Sequence, residues 1–183
     1  MRKLIFLSLF LVVAFTLNCQ AGSASKSAPQ DFRVDTPEGW TRFSSSEYFM
    51  LTREGVFSQY ILVLQRRVDE PFSHTESRLR KDMSPKEAAA VITDELSSDD
   101  NLVNFQSLEY VPAKVGLYSG FRIVYRYQNK KGQNLRTAFY GLLKGNWFYS
   151  LRYRAQEEKY SDEDLKAFER VVNSFRIGDE ISG

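Results

Sequence analysis

The side chains in this chain with the clearest chemical potential are four arginines, Arg126, Arg136, Arg152 and Arg154, set in a stretch of β-branched and aromatic residues. A planar guanidinium presents five donors in a fixed fork, so several of them on one surface point to carboxylate or phosphate binding. The remaining candidates carry less. His74 is the sole histidine, in the polar run Ser73-His74-Thr75-Glu76, and reads as a surface residue; no nucleophile-elbow motif accompanies it. Glu157, Glu158 and Asp162 to Asp164 offer carboxylates for a hydrolase, but acids at a helix start are already explained by the helix dipole. Ser97-Ser98-Asp99-Asp100-Asn101 lacks the spaced ligands of a calcium loop and reads as a solvated turn. Cys19 is the single cysteine, which excludes an internal disulfide and a thiolate metal cluster. Neither a cofactor nor a metal is expected.

Three strands must position the arginines: Phe121 to Gln128, Gln133 to Leu143, and Trp147 to Ala155. Asn129-Lys130-Lys131-Gly132 suits a three-residue hairpin with a left-handed glycine, and Lys144-Gly145-Asn146 also suits a three-residue loop. Two odd-length loops pair odd residues with odd. One face then carries Phe121, Ile123, Tyr125, Tyr127, Leu135, Phe139, Tyr149, Leu151 and Tyr153, while a two-residue loop would mix arginine into it. In this register Arg126, Arg136 and Arg154 form a row across the strands, with Arg152 one step away. Like charges directly opposite cost stability. Either carboxylates of the protein's own helices or plain solvation offset them, or an anionic ligand or acidic partner does.

The chain has 183 residues, 14% of them aromatic, enough for one β-rich domain with a core. Arg2 and Lys3 are the only charges before Cys19, so the remainder holds 23 basic against 23 acidic residues. No basic run or recognition motif points to nucleic acid.

In chain order, residues 1–18 read as a signal peptide, a basic start followed by Leu4 to Leu17. Residues 19–30 are small and polar and read as a flexible tether reaching on the order of 20 Å. Residues 31–178 form one domain and 179–183 a tail. Phe32 to Val34 is a short strand. Thr36-Pro37-Glu38-Gly39-Trp40 is a turn that delivers Trp40 to the core. Tyr48 to Leu51 and Val56 to Val68 form a hairpin about Glu54-Gly55. Tyr60 to Leu64 is apolar on both faces and is expected to be central and covered on both sides. Glu70 to Met83 is polar and irregular. Ser84-Pro85-Lys86-Glu87 opens a helix with a capping box, and Ala88, Ala89, Ile92 and Leu96 give its buried side. Leu102 to Val115 is strand-like. Ser161 caps a last helix whose Leu165, Phe168, Val172 and Phe175 dock on the sheet.

The segment ending Thr16-Leu17-Asn18-Cys19 resembles the lipobox of bacterial lipoproteins, with Leu one place late and Asn18 an uncommon neighbour. The resemblance implies cleavage before Cys19 and a lipid (diacylglycerol and palmitate) on its thiol. Gln20 after the Cys implies the outer membrane of a Gram-negative envelope, periplasmic face. Ordinary cleavage after Ala21 is the alternative. The domain itself is similar to the Mog1/PsbP type, on Pro37-Glu38-Gly39-Trp40, Gly116 to Gly120 with Phe121-Arg122, Gly132, Tyr149 to Tyr153, Phe168-Glu169 and Ser174-Phe175. That resemblance implies an α+β fold, an antiparallel sheet with helices packed on it as an α/β/α sandwich, and a non-catalytic accessory role. The expected function is a lipid-anchored envelope module for a partner protein or small ligand. The alternative is a binder of anionic lipid or glycan headgroups through the Arg-rich face, and a carboxylate-dependent hydrolase is the weaker third.

Overall fold

The computed structural model describes residues 31–45, 48–55 and 58–178. The expected signal peptide, Cys19, the tether and the tail lie outside the described residues. Nine strands and two α-helices follow in order: β1 Phe32–Arg33, β2 Thr41–Ser44, β3 Phe49–Thr52, β4 Gln59–Arg67, α1 Pro85–Ser97, β5 Val103–Val115, β6 Tyr118–Gln128, β7 Asn134–Lys144, β8 Trp147–Gln156, a 3-10 turn Glu157–Lys159, α2 Asp162–Ser174 and β9 Arg176–Ile177. Seven strands make one antiparallel sheet in the order β2-β3-β4-β8-β7-β6-β5. β1 and β9 pair separately, antiparallel.

The helices lie on opposite faces of this sheet, so the expected sandwich is present. α1 covers β5, β6 and β7. Its capping box is complete, with Ser84 accepting from the Glu87 amide and the Glu87 carboxylate accepting from the Ser84 amide at 2.7 Å. α2 packs on the other face through Ala167, Phe168, Val171 and Val172, next to Tyr149, Leu151 and Tyr153 of β8. Its cap, Ser161, accepts from the Asp164 amide. Trp40 is buried edge-on against Tyr153, as its turn predicts.

One expectation fails, and it changes every face assignment downstream. β6 and β7 pair with like parity, Arg126 opposite Arg136, as the Asn129 to Gly132 loop predicts. β7 and β8 pair with opposite parity, Lys144 opposite Trp147 and Thr137 opposite Arg154. The loop is two residues, Gly145-Asn146, with Gly145 at φ 58° and Asn146 outside the positive-φ region. Gly at the first central position is the mark of a type II′ hairpin. The shift sends Tyr149, Leu151, Tyr153 and Ala155 to the α2 face. It turns Phe148, Ser150, Arg152 and Arg154 toward α1. The apolar parity of β8 could join a core on either register, because β6 and β7 carry buried apolar residues on both faces, Ile123 and Phe139 on one, Val124 and Tyr140 on the other.

β4 also departs from expectation. Ile61 and Val63 are fully buried, but Leu62 and Leu64 on its other side are only half-buried. α1 does not reach that part of the sheet, so the α1 face of β4 and β8 is left partly open.

Candidate functional site

The open part of the α1 face is a cleft of about 600 Å³. Its floor is Leu64 and Arg66 of β4, Phe148, Ser150 and Arg152 of β8, and Phe139 of β7. Its far wall is Ile92, Leu96, Glu95 and Asp99 of α1 and the following turn, and the segment Glu70 to His74 closes one end. Such a volume with a mainly apolar lining and a few convergent polar groups is the usual form of a small-ligand site.

A glycine builds the apolar end. Gly141 stands opposite Phe121, and a Cβ there would lie 2.4 Å from the Phe121 ring. Without one, the ring lies over the strand and stacks between Phe139 and Phe148, centroids 6.1 and 6.4 Å away. The segment between β4 and α1, expected to be irregular, has no regular element but buries Val68, Phe72 and Leu79.

The polar groups are unequally satisfied. Glu95 accepts from the backbone amides of Ser73, His74 and Thr75 and from the Thr75 hydroxyl, which fixes the segment to α1. Asp99 accepts from Asn101 and lies 3.6 Å from His74 Nε2. His74 is exposed, as the sequence reading expects, and lines the rim of the cleft. Arg66 donates to the carbonyls of Glu70 and Pro71 and stacks on Phe72, its guanidinium 4.0 Å from the ring centroid. Burial pushes the Arg66 pKa down, with Glu70 and Glu95 opposing. Arg152 alone has nothing comparable. Its Nε is buried without a hydrogen-bond partner, and it forms no ion pair among the described residues. A buried unpaired donor of a charged group is costly to keep.

The four predicted arginines are thus brought together in pairs, not in a row. Arg152 and Arg154 face α1. Arg154 donates to the Tyr60 hydroxyl at 3.2 Å and stacks over its ring. Arg126 and Arg136 stand opposite each other on the α2 face. Arg126 donates to Gln106 at 2.8 Å, and Arg136 stacks on Tyr160 at 4.6 Å with its Nε buried and unpartnered. None of the four meets an internal carboxylate among the described residues. The carboxylates proposed for hydrolysis do not converge. Asp164 and Glu163 pair with Arg53 while Glu158 and Asp162 are exposed, and Glu157 alone lines a cavity, a small polar one on the α2 face.

Arg66, Ser150 and the aromatic wall are contributors that the sequence reading missed. The signal available was Gly145-Asn146, a hairpin dipeptide whose two-residue reading puts Ser150 and Arg152 on the face of Arg66.

No family model matches the chain, and no curated protein matches it by sequence. The fold does have neighbours among solved structures. LpqN, described as involved in cell envelope biogenesis of Mycobacterium tuberculosis, superposes with a TM-score of 0.58 at 16% identity, covering 80% of this chain and 82% of that one. A point mutant of Mog1 superposes with a TM-score of 0.51 at 12% identity, covering 80% and 90%. PsbP from the cyanobacterium Synechocystis gives 0.48 at 11%, covering 86% and 98%. The antiparallel sheet with a helix on each side is the Mog1/PsbP-like α+β fold.

Proposed function

We propose that this chain is a non-catalytic accessory domain of the cell envelope that holds a small ligand with an apolar body and an acidic head in the cleft beside α1. One observation carries the reading: half-buried Arg152, whose Nε is buried without a hydrogen-bond partner, at the floor of a cleft that Phe72, Phe139 and Phe148 line beside polar groups. A carboxylate or phosphate would satisfy it with a charge-assisted bond, and Phe139, Phe148 and Leu96 would take the apolar body. The envelope address is supported by the lipobox-like Cys19 and by the fold shared with LpqN.

The test uses decanoate and decanol, two probes that differ only in the head. Decanoate is expected to raise the melting temperature of the wild type, with decanol at least tenfold weaker, and Arg152→Gln is expected to lose the difference. Equal responses to both probes would remove the anionic head from the proposal. Radiolabelled palmitate entering the wild type and not Cys19→Ala would support the anchor; no label in either would end it. A partner protein is the second reading, favoured by Leu108, Tyr110 and Val111, which are exposed on β5, the last strand of the described sheet, paired on one edge only.

A further inference from the structure

On the α2 face, at the end of the sheet remote from the β5–β6 turn, lies a polar cavity of about 220 Å³. It lies below the usual range for drug-sized ligands, roughly 300–1,000 Å³, and suits a single ring. Side-chain amides line most of it: Asn104, Gln106, Gln128 and Asn134. Asn104 Nδ2 donates to Gln128 Oε1 at 3.1 Å, and Gln128 Nε2 donates to Asn134 Oδ1 at 3.0 Å. The chain of amides therefore runs one way. It ends in an acceptor, Asn104 Oδ1, and a donor, Asn134 Nδ2, neither taken by a described residue. The free acceptor and the free donor stand at opposite ends of this amide chain, where separate hydroxyls of one ring, which both donate and accept, can meet them.

The backbone is bent to make this wall. β5 departs from regular pairing between Val103 and Gln106, and Asn104 there has φ 56°, in the left-handed region. Such irregularities re-aim side chains beside sites. Charge adds the second requirement. Arg126 lines the cavity, Arg136 stands directly across from it, and neither has a carboxylate partner. Glu157 lines the cavity too and forms no ion pair with them. Arg136 does not itself line the cavity and stacks on Tyr160, but beside Arg126 it brings the local count to two cations against one carboxylate, and the cross-strand Arg pair costs stability.

We infer that this cavity is a binding site for a sugar acid, a polyhydroxylated ring carrying one carboxylate. The amides take the hydroxyls and Arg126 with Arg136 takes the carboxylate. The site lies on the other face of the sheet from the Arg152 cleft and does not rest on it. A free sugar acid and the acidic end of a polysaccharide share this chemistry.

The experiment follows the Asn and Gln side-chain amide signals of the ¹⁵N-labelled protein by NMR during titration with glucuronate, glucose, acetate and methyl glucuronide. Glucuronate is expected to shift the signals of Asn104, Gln128 and Asn134 saturably, with glucose and acetate at least tenfold weaker. Arg126→Gln is expected to weaken glucuronate at least tenfold with an unchanged or higher melting temperature, Asn134→Ala severalfold with an unchanged one, and Arg152→Gln is expected to bind like the wild type. Methyl glucuronide binding as well as glucuronate would assign a polysaccharide end, and glucuronate alone a free acid. Glucose binding as tightly as glucuronate, no saturable shift at these amides, or loss in Arg152→Gln with retention in Arg126→Gln would each overturn the assignment.

Discussion

On the α2 side of β8, Tyr149, Leu151, Tyr153 and Ala155 are all buried, and Phe168 seats edge-on against Tyr140 at 5.6 Å and beside Tyr153 at 6.0 Å. On the α1 side of the same strand, Phe148 and Ser150 border a cleft and Arg152 lies half-buried with a donor unanswered. The two sides differ in which strands the helix reaches: α2 packs on β5 and β8, whereas α1 packs on β5, β6 and β7. Along β8, packing on the α2 side supplies core while the side that α1 does not reach keeps a costly group. The contrast gives one physical reading of where this domain keeps its stability and where it exposes chemistry.

The sharpest way to break that comparison is to cut each side equally. Phe168→Ala is expected to cost about 4–5 kcal/mol, whereas Phe148→Ala, also buried but at the cleft wall where the void left can fill with solvent, should cost about 3 kcal/mol. Urea unfolding of both variants decides it; equal losses would mean the cleft wall is core. Next in size is Gly116→Ala. At φ 55°, with an added Cβ only 2.0 Å from the Phe175 carbonyl oxygen, it should cost about 2–3 kcal/mol by parting the β5–β6 turn from α2. Gly132→Ala, with open space around its Cβ at φ 76°, should cost about 1 kcal/mol.

Burial pushes the Tyr125 hydroxyl, under α1, up to about 12, and burial also raises that of Tyr153, on the α2 side. The unfolded chain ionises its tyrosines near pH ~10, so it gains from deprotonation first. Stability is therefore full below pH ~10 and falls as pH rises toward about 12, by on the order of 2 kcal/mol for Tyr125. Tyr125→Phe should flatten that slope in denaturation measured across the window. The smallest expected effect is Arg152→Met, which removes a buried unpaired donor. Its stability should stay within about 1 kcal/mol of the wild type or rise, while decanoate binding disappears. A large loss of stability would make Arg152 structural.

The fold was legible in the sequence where local chemistry speaks alone. Ser84 with Glu87, Ser161 with its acids, and the Asn129 to Gly132 turn each specify their element within a few residues. Face assignments were legible only as far as one loop. β8 reads Trp-Phe-Tyr-Ser-Leu-Arg-Tyr-Arg-Ala, apolar on one parity only, but β6 and β7 bury apolar residues on both faces, so that parity could join either, and the choice fell to Gly145-Asn146. Misreading that pair joined Arg154 to a row it does not belong to and hid the cleft. β2 and β9 went unread for a different reason. Thr41–Ser44 is exposed at every position and Arg176–Ile177 is two residues long, so neither carries a periodic signal. The edge irregularity at Asn104 that aims the amides depends on pairing with β6, which no local pattern announces.

β1 and β9 lie side by side, and the Gly178 amide donates to the Asp31 carbonyl while Tyr149 donates to the Asp31 carboxylate. The described domain therefore begins and ends at one corner. Joined there, it could be reopened at the exposed Lys130-Lys131 turn, giving a circular permutant with both faces of the sheet intact. The same closeness of ends makes the domain a portable cassette, able to enter a surface loop of a host protein without prising that loop apart.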